Sequence, residues 1–467
     1  MIWKIARKEF VDVSRDGRFR IAAVIVFVLL AVSLLVGWHH YYQQEEQRRE
    51  ATKIQRELWV SKGEMNPHGA AHYGMYLFKP QMPLSAVDKG LNPYVGASIF
   101  LEAHKINHAQ YKPATDSTPV HRFGDLTAAM NLQLFIPLLI VLICYSALSG
   151  EREQGTLRQL LSLGVEKKHL LAGKMLGTVL ILFTLLVPAA IVGAILTFLA
   201  SGPHSLELST GRMILIAAAY LIYFLTFVML ALSISAFAPS SRASLISLLS
   251  IWFLFCFVAP RIATDLAKAI YPTPTALEFI AAVEKDKLNL IPWGERVTRV
   301  KERLLKQYNT ASVESLPINP EGVALSEGEA DDTIAHAKHF NHLFDLYEKQ
   351  NHAYQAGSIL SPMIAMQSIS MGLAGTDFPH YRHFLDAGEK YRVLFIKMLN
   401  DDVVMAKNAW AYTRGKDFWG KIPAFEYTAP GTSWAITHYG ISAGFLAFWL
   451  LASCVAAVAG FQKSGVE

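Results

Sequence analysis

The chain has 467 residues, of which 52% are hydrophobic and only 17% charged, with a mean hydropathy of +0.27. That is too apolar for an ordinary soluble protein and puts the membrane class first. The formal charge of +5 is modest, no block of Lys and Arg is interleaved with aromatics, and Cys144, Cys256 and Cys454 all fall in apolar runs, which argues against nucleic-acid binding, a disulfide framework and a CxxC zinc site.

Residues 1–20 place Ile2, Trp3, Ile5, Ala6, Phe10 and Val13 roughly along one helical face, ringed by Lys4, Arg7, Lys8 and Arg15, and so predict a helix lying in the membrane interface. Residues 21–38 are continuously apolar and predict the first span, as an uncleaved signal anchor. The six basic residues before it (Lys4, Arg7, Lys8, Arg15, Arg18 and Arg20) predict a cytoplasmic N-terminus. Orientation follows from that end. Residues 39–128 become an exterior segment, 129–149 the second span, 150–174 a cytoplasmic insert and 175–200 the third span. A short outer loop over 201–211 leads to the fourth span at 212–237. The fifth follows at 243–260, a larger exterior segment at 261–435, and the sixth span at 436–461, which returns the C-terminus to the inside.

The exterior segments read as mostly helical. Residues 275–308 carry an apolar 3.6-residue period interrupted near Pro292, residues 333–355 repeat it with Asp331 and Asp332 at their start, and a third long helix is expected over about 384–412. Pro317, Pro320, Gly322 and Gly328 make 310–330 look like a loop. The fold class expected is an all-α membrane protein: six transmembrane helices with a mostly helical exterior (periplasmic) module.

The insert Gly150 to Lys174, GEREQGTLRQLLSLGVEKKHLLAGK, is charged and amphipathic between two spans. On a helix from Glu151, Leu157, Leu160 and Leu161 share one face, with Glu151, Arg152, Glu153 and Arg158 around them. Gly164 ends that helix, and a second amphipathic piece begins by Lys167. A short helix with an apolar ridge and a charged rim suits a groove on another protein. No GxxxxGK[ST] phosphate loop occurs, and the spans show no interior acid or base that would relay protons or sodium. Any energy for transport is therefore expected from a partner, and the chain itself is not read as an enzyme.

That insert is similar to the stretch after the second span of ABC-2 type exporter permeases, whose pattern Glu-x-Glu-x-Gly-Thr-Leu, two leucines and a closing Gly-Lys is matched by Glu151, Glu153, Gly155, Thr156, Leu157, Leu160, Leu161, Gly173 and Lys174. The usual Pro and Ser of the middle turn are replaced by Gly164, Val165 and Glu166. NPHGAAHYGMYLFKP, LNPYVGASIFLEAHKIN and SPMIAMQSISMGLAGTDFPHYRHF resemble a branch with large exterior domains between spans 1 and 2 and spans 5 and 6. The resemblance implies a permease subunit of the bacterial cytoplasmic (inner) membrane. It would pair with a second permease as a homodimer or related heterodimer, with cytoplasmic ABC ATPase subunits that bind ATP and Mg docked at Glu151, Glu153, Gly155, Thr156, Leu157, Arg158, Leu160, Leu161 and Lys174. It implies export of an unidentified substrate. The rival is a transducer that relays ATP-driven motion to the exterior module, acting on an exterior partner protein without transport. Related permeases are associated with maturation of exported copper enzymes.

Thirteen of the sixteen histidines lie in the two exterior segments, about what their share of the polar chain predicts. Spacing is more informative. Asn66 and Pro67 read as the start of a short helix with His68 and His72 on one face, His104 and His108 repeat the i, i+4 spacing, and His336, His339 and His342 run at intervals of three. Such pairs can ligate zinc or copper, although a packed surface pair is the commoner use. His380 and His383 beside Asp377 form a second candidate cluster. In the fourth and fifth spans, Tyr220, Tyr223, Thr226 and Ser247 are candidates for lining a route, with close helix packing the favoured alternative.

Overall fold

The computed structural model describes residues 1–112, 126–201 and 206–463, with the side chains of 206–208 left aside. Part of the 201–211 loop thus lies outside the described residues. The expected interfacial helix breaks at Asp16. Helix α1 covers Ile2–Arg15, and the Asp16 carboxylate accepts from the Arg18 amide at 2.7 Å to start α2, Gly17–Val60. Helix α2 runs 44 residues without interruption, about 66 Å at 1.5 Å per residue. The helix therefore continues well past residue 38, the expected end of the first span.

A short α3 (Pro67–Tyr73) is capped by Asn66 as its sequence predicts, the Asn66 Oδ1 accepting from the Gly69 amide at 3.2 Å. Next comes a small antiparallel sheet that the sequence reading did not anticipate: β1 (Met75–Phe78), β2 (Ser98–Glu102) and β3 (Lys105–Ile106), in the order β1-β2-β3 with Met75 opposite Leu101 and Glu102 opposite Lys105. Strands of two to five residues are too short for an alternating pattern to stand out.

Helices α4 (Ala128–Cys144), α5 (Ser149–Glu153), α6 (Thr156–Ser162), α7 (Lys167–Ala200), α8 (Leu206–Phe237) and α9 (Ser241–Phe253) follow. Span 5 does not stop at Pro260. A π-helical turn over Leu254–Val258 leads directly into α10 (Ala259–Ile270), a wide turn that accommodates a proline lacking its amide hydrogen. The second amphipathic piece expected after Gly164 is the first turns of α7, continuous with span 3.

Among the described residues, six helical stretches, within α2, α4 to α5, α7, α8, α9 to α10 and the last helix, are long and apolar enough to cross a membrane. With helix dominating the described chain and only three short strands in it, this is an all-α membrane protein.

The remaining helices are α11 (Ala276–Lys287), α12 (Trp293–Gln307), α13 (Pro320–Ala356), α14 (Pro362–Ala374), α15 (Phe378–Val404), α16 (Lys416–Trp419), α17 (Thr432–His438) and α18 (Gly440–Lys463). The expected loop over 310–330 is corrected here: from Pro320 onward it is helix. Asn319 caps α13 through the Glu321 amide, Pro320 sits at the first helical position, and Gly322 is there because a Cβ would lie 2.7 Å from the Val404 Cα. Helix α15 likewise starts earlier and ends earlier than expected, bounded by Asp377 and Met405.

Two cores result. One fills the helix bundle with residues such as Ile136, Ile140, Tyr223, Val228 and Leu232. The other joins the distal end of α2 to α3, the sheet, α15 and α16, where Trp59 meets Phe395 and Trp419 edge-on at 4.9 and 5.7 Å between ring centres. The second core makes a module at one end of the bundle.

Candidate functional site

At the opposite end from the module, the Glu-Arg-Glu sequence of the insert ties four helices together. Helix α1 lies against α7 at Gly173 and Gly177. A Cβ at Gly173 would fall 2.6 Å from the Ile5 Cβ, and one at Gly177 would fall 2.7 Å from the Glu9 Cβ and 2.9 Å from the Ala6 carbonyl oxygen. Glycines four apart let the two backbones approach this closely. Between them, the Lys174 ammonium is 2% exposed and donates to Glu9 at 2.8 Å and to Glu151 at 2.7 Å. One buried cation thus joins α1, α5 and α7.

The next two residues reach the other way. Arg152 donates to the carbonyls of Ala236 (3.1 Å) and Ala238 at the C-terminal end of α8, where a cation complements the carbonyl end of the helix. Glu153 accepts from the Ser241 amide at 2.9 Å and its hydroxyl at 2.7 Å, at the N-terminal end of α9. The Ser235 hydroxyl receives the amides of Leu148 and Ser149 at 3.0 and 3.2 Å.

Helix α5 stops at Gly155, whose φ of +72° turns the chain into α6, with the Thr156 hydroxyl closing back on the Glu151 carbonyl at 3.1 Å. Glu151 and Leu157 are therefore not on one helix as the spacing suggested. The expected apolar ridge turns inward: Leu157 is buried in the bundle core and Leu160 and Leu161 pack partly against it. The face left in solvent carries Arg158 and Gln159, and at its tip Leu163, 79% exposed, just before the left-handed Gly164. Leu163 is a surface residue that the sequence reading passed over.

The other sequence candidates separate. Tyr220 accepts from Gln133 and contacts the Ser370 hydroxyl, Tyr223 donates to the Gln133 carbonyl at 2.8 Å, Thr226 bonds its own helix at Ile222, and Ser247 faces outward. The first three have packing partners within the chain. Buried cations do stand near the ends of two apolar helices. Besides Lys174, Arg212 is fully buried and donates to carbonyls of Gly372, Leu373 and Pro430.

His380 is not open to a metal: its Nε2 is 3.1 Å from both terminal nitrogens of Arg212 and its Nδ1 is 2.5 Å from Asp377. His383 instead contacts the Tyr427 hydroxyl at 3.0 Å. His108 is not on a helix with His104. It packs on the rings of Phe340 and Phe279 at 4.8 and 5.2 Å. His339 meets Asp286 and His336 its own helix backbone. His68, His72 and His104, by contrast, come together, with a ligating nitrogen from each inside a 4.8 Å circle. Burial pushes the His68 imidazole down to about 4.

Between the module and the neighbouring ends of α4 and the α9 to α10 junction lies a cavity of about 1470 Å³, with Gln133, Cys256, Phe279, Phe340, Tyr347 and Met371 among its walls. No curated protein matches the chain. The family model for ABC-2 family transporter proteins matches residues 3–465, nearly its whole length.

Proposed function

The chain belongs to the ABC-2 transporter family, and on that premise we propose that it is the permease subunit of an exporter, with α1, α5 and α6 on the cytoplasmic side and the module outside. Separate ATPase subunits supply the energy, and a second permease subunit completes the membrane assembly. The observation that carries this reading is the two-sided construction of the insert. Its outer face offers Arg158, Gln159 and the exposed Leu163 for docking, while Glu151, Arg152 and Glu153 are bonded to the ends of α7, α8 and α9 and, through Lys174, to α1. A push on the outer face moves three spans and α1 together, since none of those bonds yields without leaving a charged group or a helix end unpaired. The cavity between the bundle and the module supports passage of a cargo toward the outside.

Co-purification of the ATPase subunits from the native cell tests the docking face. Leu163→Asp combined with Arg158→Glu is expected to abolish the association, and Leu277→Asp, equally exposed at the module end, is expected to leave it intact. Retention of the ATPase by the Leu163→Asp, Arg158→Glu protein, with its elution profile unchanged, overturns the docking assignment.

A further inference from the structure

We propose that His68, His72 and His104 form a binding site for one divalent late first-row cation of the zinc class, with an open fourth position facing solvent. The three residues arrive from separate pieces of chain. His68 and His72 stand one turn apart on α3, and His104 sits in the turn between β2 and β3, which is tied to α3 by the Ala103 amide donating to the Ala71 carbonyl at 3.2 Å.

The Nε2 atoms of His72 and His104 lie 3.2 and 3.3 Å from the Nε2 of His68. Three imidazoles at ordinary zinc–nitrogen distances of about 2.0–2.1 Å in a tetrahedral arrangement place their nitrogens about 3.3 Å apart. Two of the three pairs have that spacing, and all three ligating nitrogens lie within 4.8 Å of one another.

The far sides of two rings fix their tautomers. His68 Nδ1–H donates to Asn400 Oδ1 at 2.9 Å, and His104 Nδ1–H donates to Asp332 Oδ2 at 2.9 Å. With both Nδ1 atoms facing oxygens, the neutral rings turn their Nε2 lone pairs toward one another, as two ligands of a shared cation do. A carboxylate behind a ligating imidazole is also how zinc ligands are commonly oriented and made more basic. The His104 backbone is held by a second carboxylate: Glu329, one turn before Asp332, accepts from the His104 amide at 2.7 Å and from the Arg392 guanidinium, which is 1% exposed, at 2.6 Å.

The backbone carries a further sign. His104 has φ of +65°, a left-handed conformation that costs a non-glycine residue of order 1–3 kcal/mol and clusters at functional sites. That conformation directs its ring at His68.

Softness and exposure decide the class of ion. Three neutral nitrogens suit zinc or copper and not magnesium or calcium, which require oxygen. His68 is buried while His72 is exposed and the His104 side chain is 31% exposed, so the set is closed on the module side and open on the solvent side. Three protein ligands with one free position describe an exchangeable or reactive ion, whereas structural zinc sites have four.

The test uses the full-length protein in nanodiscs, stripped with chelator and titrated with zinc chloride against a competing indicator. One zinc per chain is expected, unaffected by excess magnesium or calcium. His68→Ala and His104→Ala should each weaken binding at least about 100-fold, Asp332→Asn about 10- to 100-fold, and His108→Ala not at all. Copper(II) substituted into the site should show coupling to several nitrogens by electron paramagnetic resonance, lost in His104→Ala. Circular dichroism and elution of each variant separate loss of the site from loss of the fold. Absence of stoichiometric zinc, competition by magnesium, or unchanged affinity in a folded His104→Ala protein would each overturn the proposal.

Discussion

Replacing Lys174 by Met removes the buried cation shared by Glu9 and Glu151. Their nearer oxygens lie 2.8 and 2.7 Å from the same nitrogen. Without it, two carboxylates about 5 Å apart face each other, and at an effective dielectric of about 20 they repel by about 3 kcal/mol. Lys8, at 3.6 and 3.7 Å from the same two oxygens, is 59% exposed and compensates only in part, while the carboxylates themselves keep just 15% and 12% of their exposure. The expected loss is therefore about 3 kcal/mol, the lower end of what breaking a buried ion pair costs. Reversible unfolding in mixed micelles, followed by tryptophan fluorescence, measures it. The triple replacement Glu9→Gln, Lys174→Met, Glu151→Gln removes all three charges and should recover most of the loss, since a neutral, well-packed substitute for a buried ionic group is often as stable as the original. A Lys174→Met protein within about 0.5 kcal/mol of the parent, or a triple variant no better than the single one, would refute the reasoning, because a 3 kcal/mol network cannot be silent or irreparable.

Gly177→Ala should push α1 off α7, because the new Cβ would meet backbone at 2.9 Å and the Glu9 Cβ at 2.7 Å. The overpacking cost is about 1–3 kcal/mol, read as faster hydrogen exchange over residues 2–15 with the module unchanged. Trp59→Ala empties the centre of the module core, where Trp59 is 1% exposed. A loss of about 3–5 kcal/mol is expected, and exchange should rise in α3, α15 and α16 while the bundle stays protected. Burial pushes the Lys79 ammonium down to about 8, below the ordinary lysine range. Between about 8 and 10.5 the unfolded chain therefore holds a proton that the folded one has released, so stability should climb as pH rises through that window and the gain should disappear as pH falls back through about 8. Lys79→Met should abolish that climb in thermal melts taken from pH 7 to 11.

The spans were legible because an apolar run long enough to cross a bilayer needs no tertiary information, and the insert was legible because its charges interrupt such runs. What Glu151, Arg152 and Glu153 do was not. Three adjacent polar residues could all have faced solvent, and only the fold shows that their partners are Lys174, the end of α8 and Ser241. The leucine ridge was seen but its direction was misjudged, since a helix turning its apolar side toward a partner has the same pattern as one turning it toward its own bundle. Pro320 and Gly322 look like loop punctuation in sequence, although a proline at a first helical position and a glycine under Val404 mark a helix start and a close contact. His68 and His72 were recognisable from Asn66-Pro67, yet nothing local joins them to His104, 32 residues beyond His72, or joins His104 to Asp332, 228 residues further along. The i, i+4 spacing of His104 and His108 pointed the wrong way, because a two-residue turn has no helical face.

The unbroken length of α2 has a mechanical consequence. It begins one residue after α1 ends and finishes with Trp59 set in the module core, without a proline, glycine pair or π turn to act as a joint beyond Asp16. Its Gly37 is itself pinned, since an added Cβ there would strike the Ala86 carbonyl. Such a rod transmits displacement without slack. A displacement of its N-terminal end would be carried along one helix, past the close contact of Gly37 with Ala86, to the tryptophan at the centre of the module core. The far end of that helix, Val60, lies seven residues from Pro67, where the histidine-bearing helix begins, so one stiff body reaches from the α1 end of the bundle to the neighbourhood of those side chains.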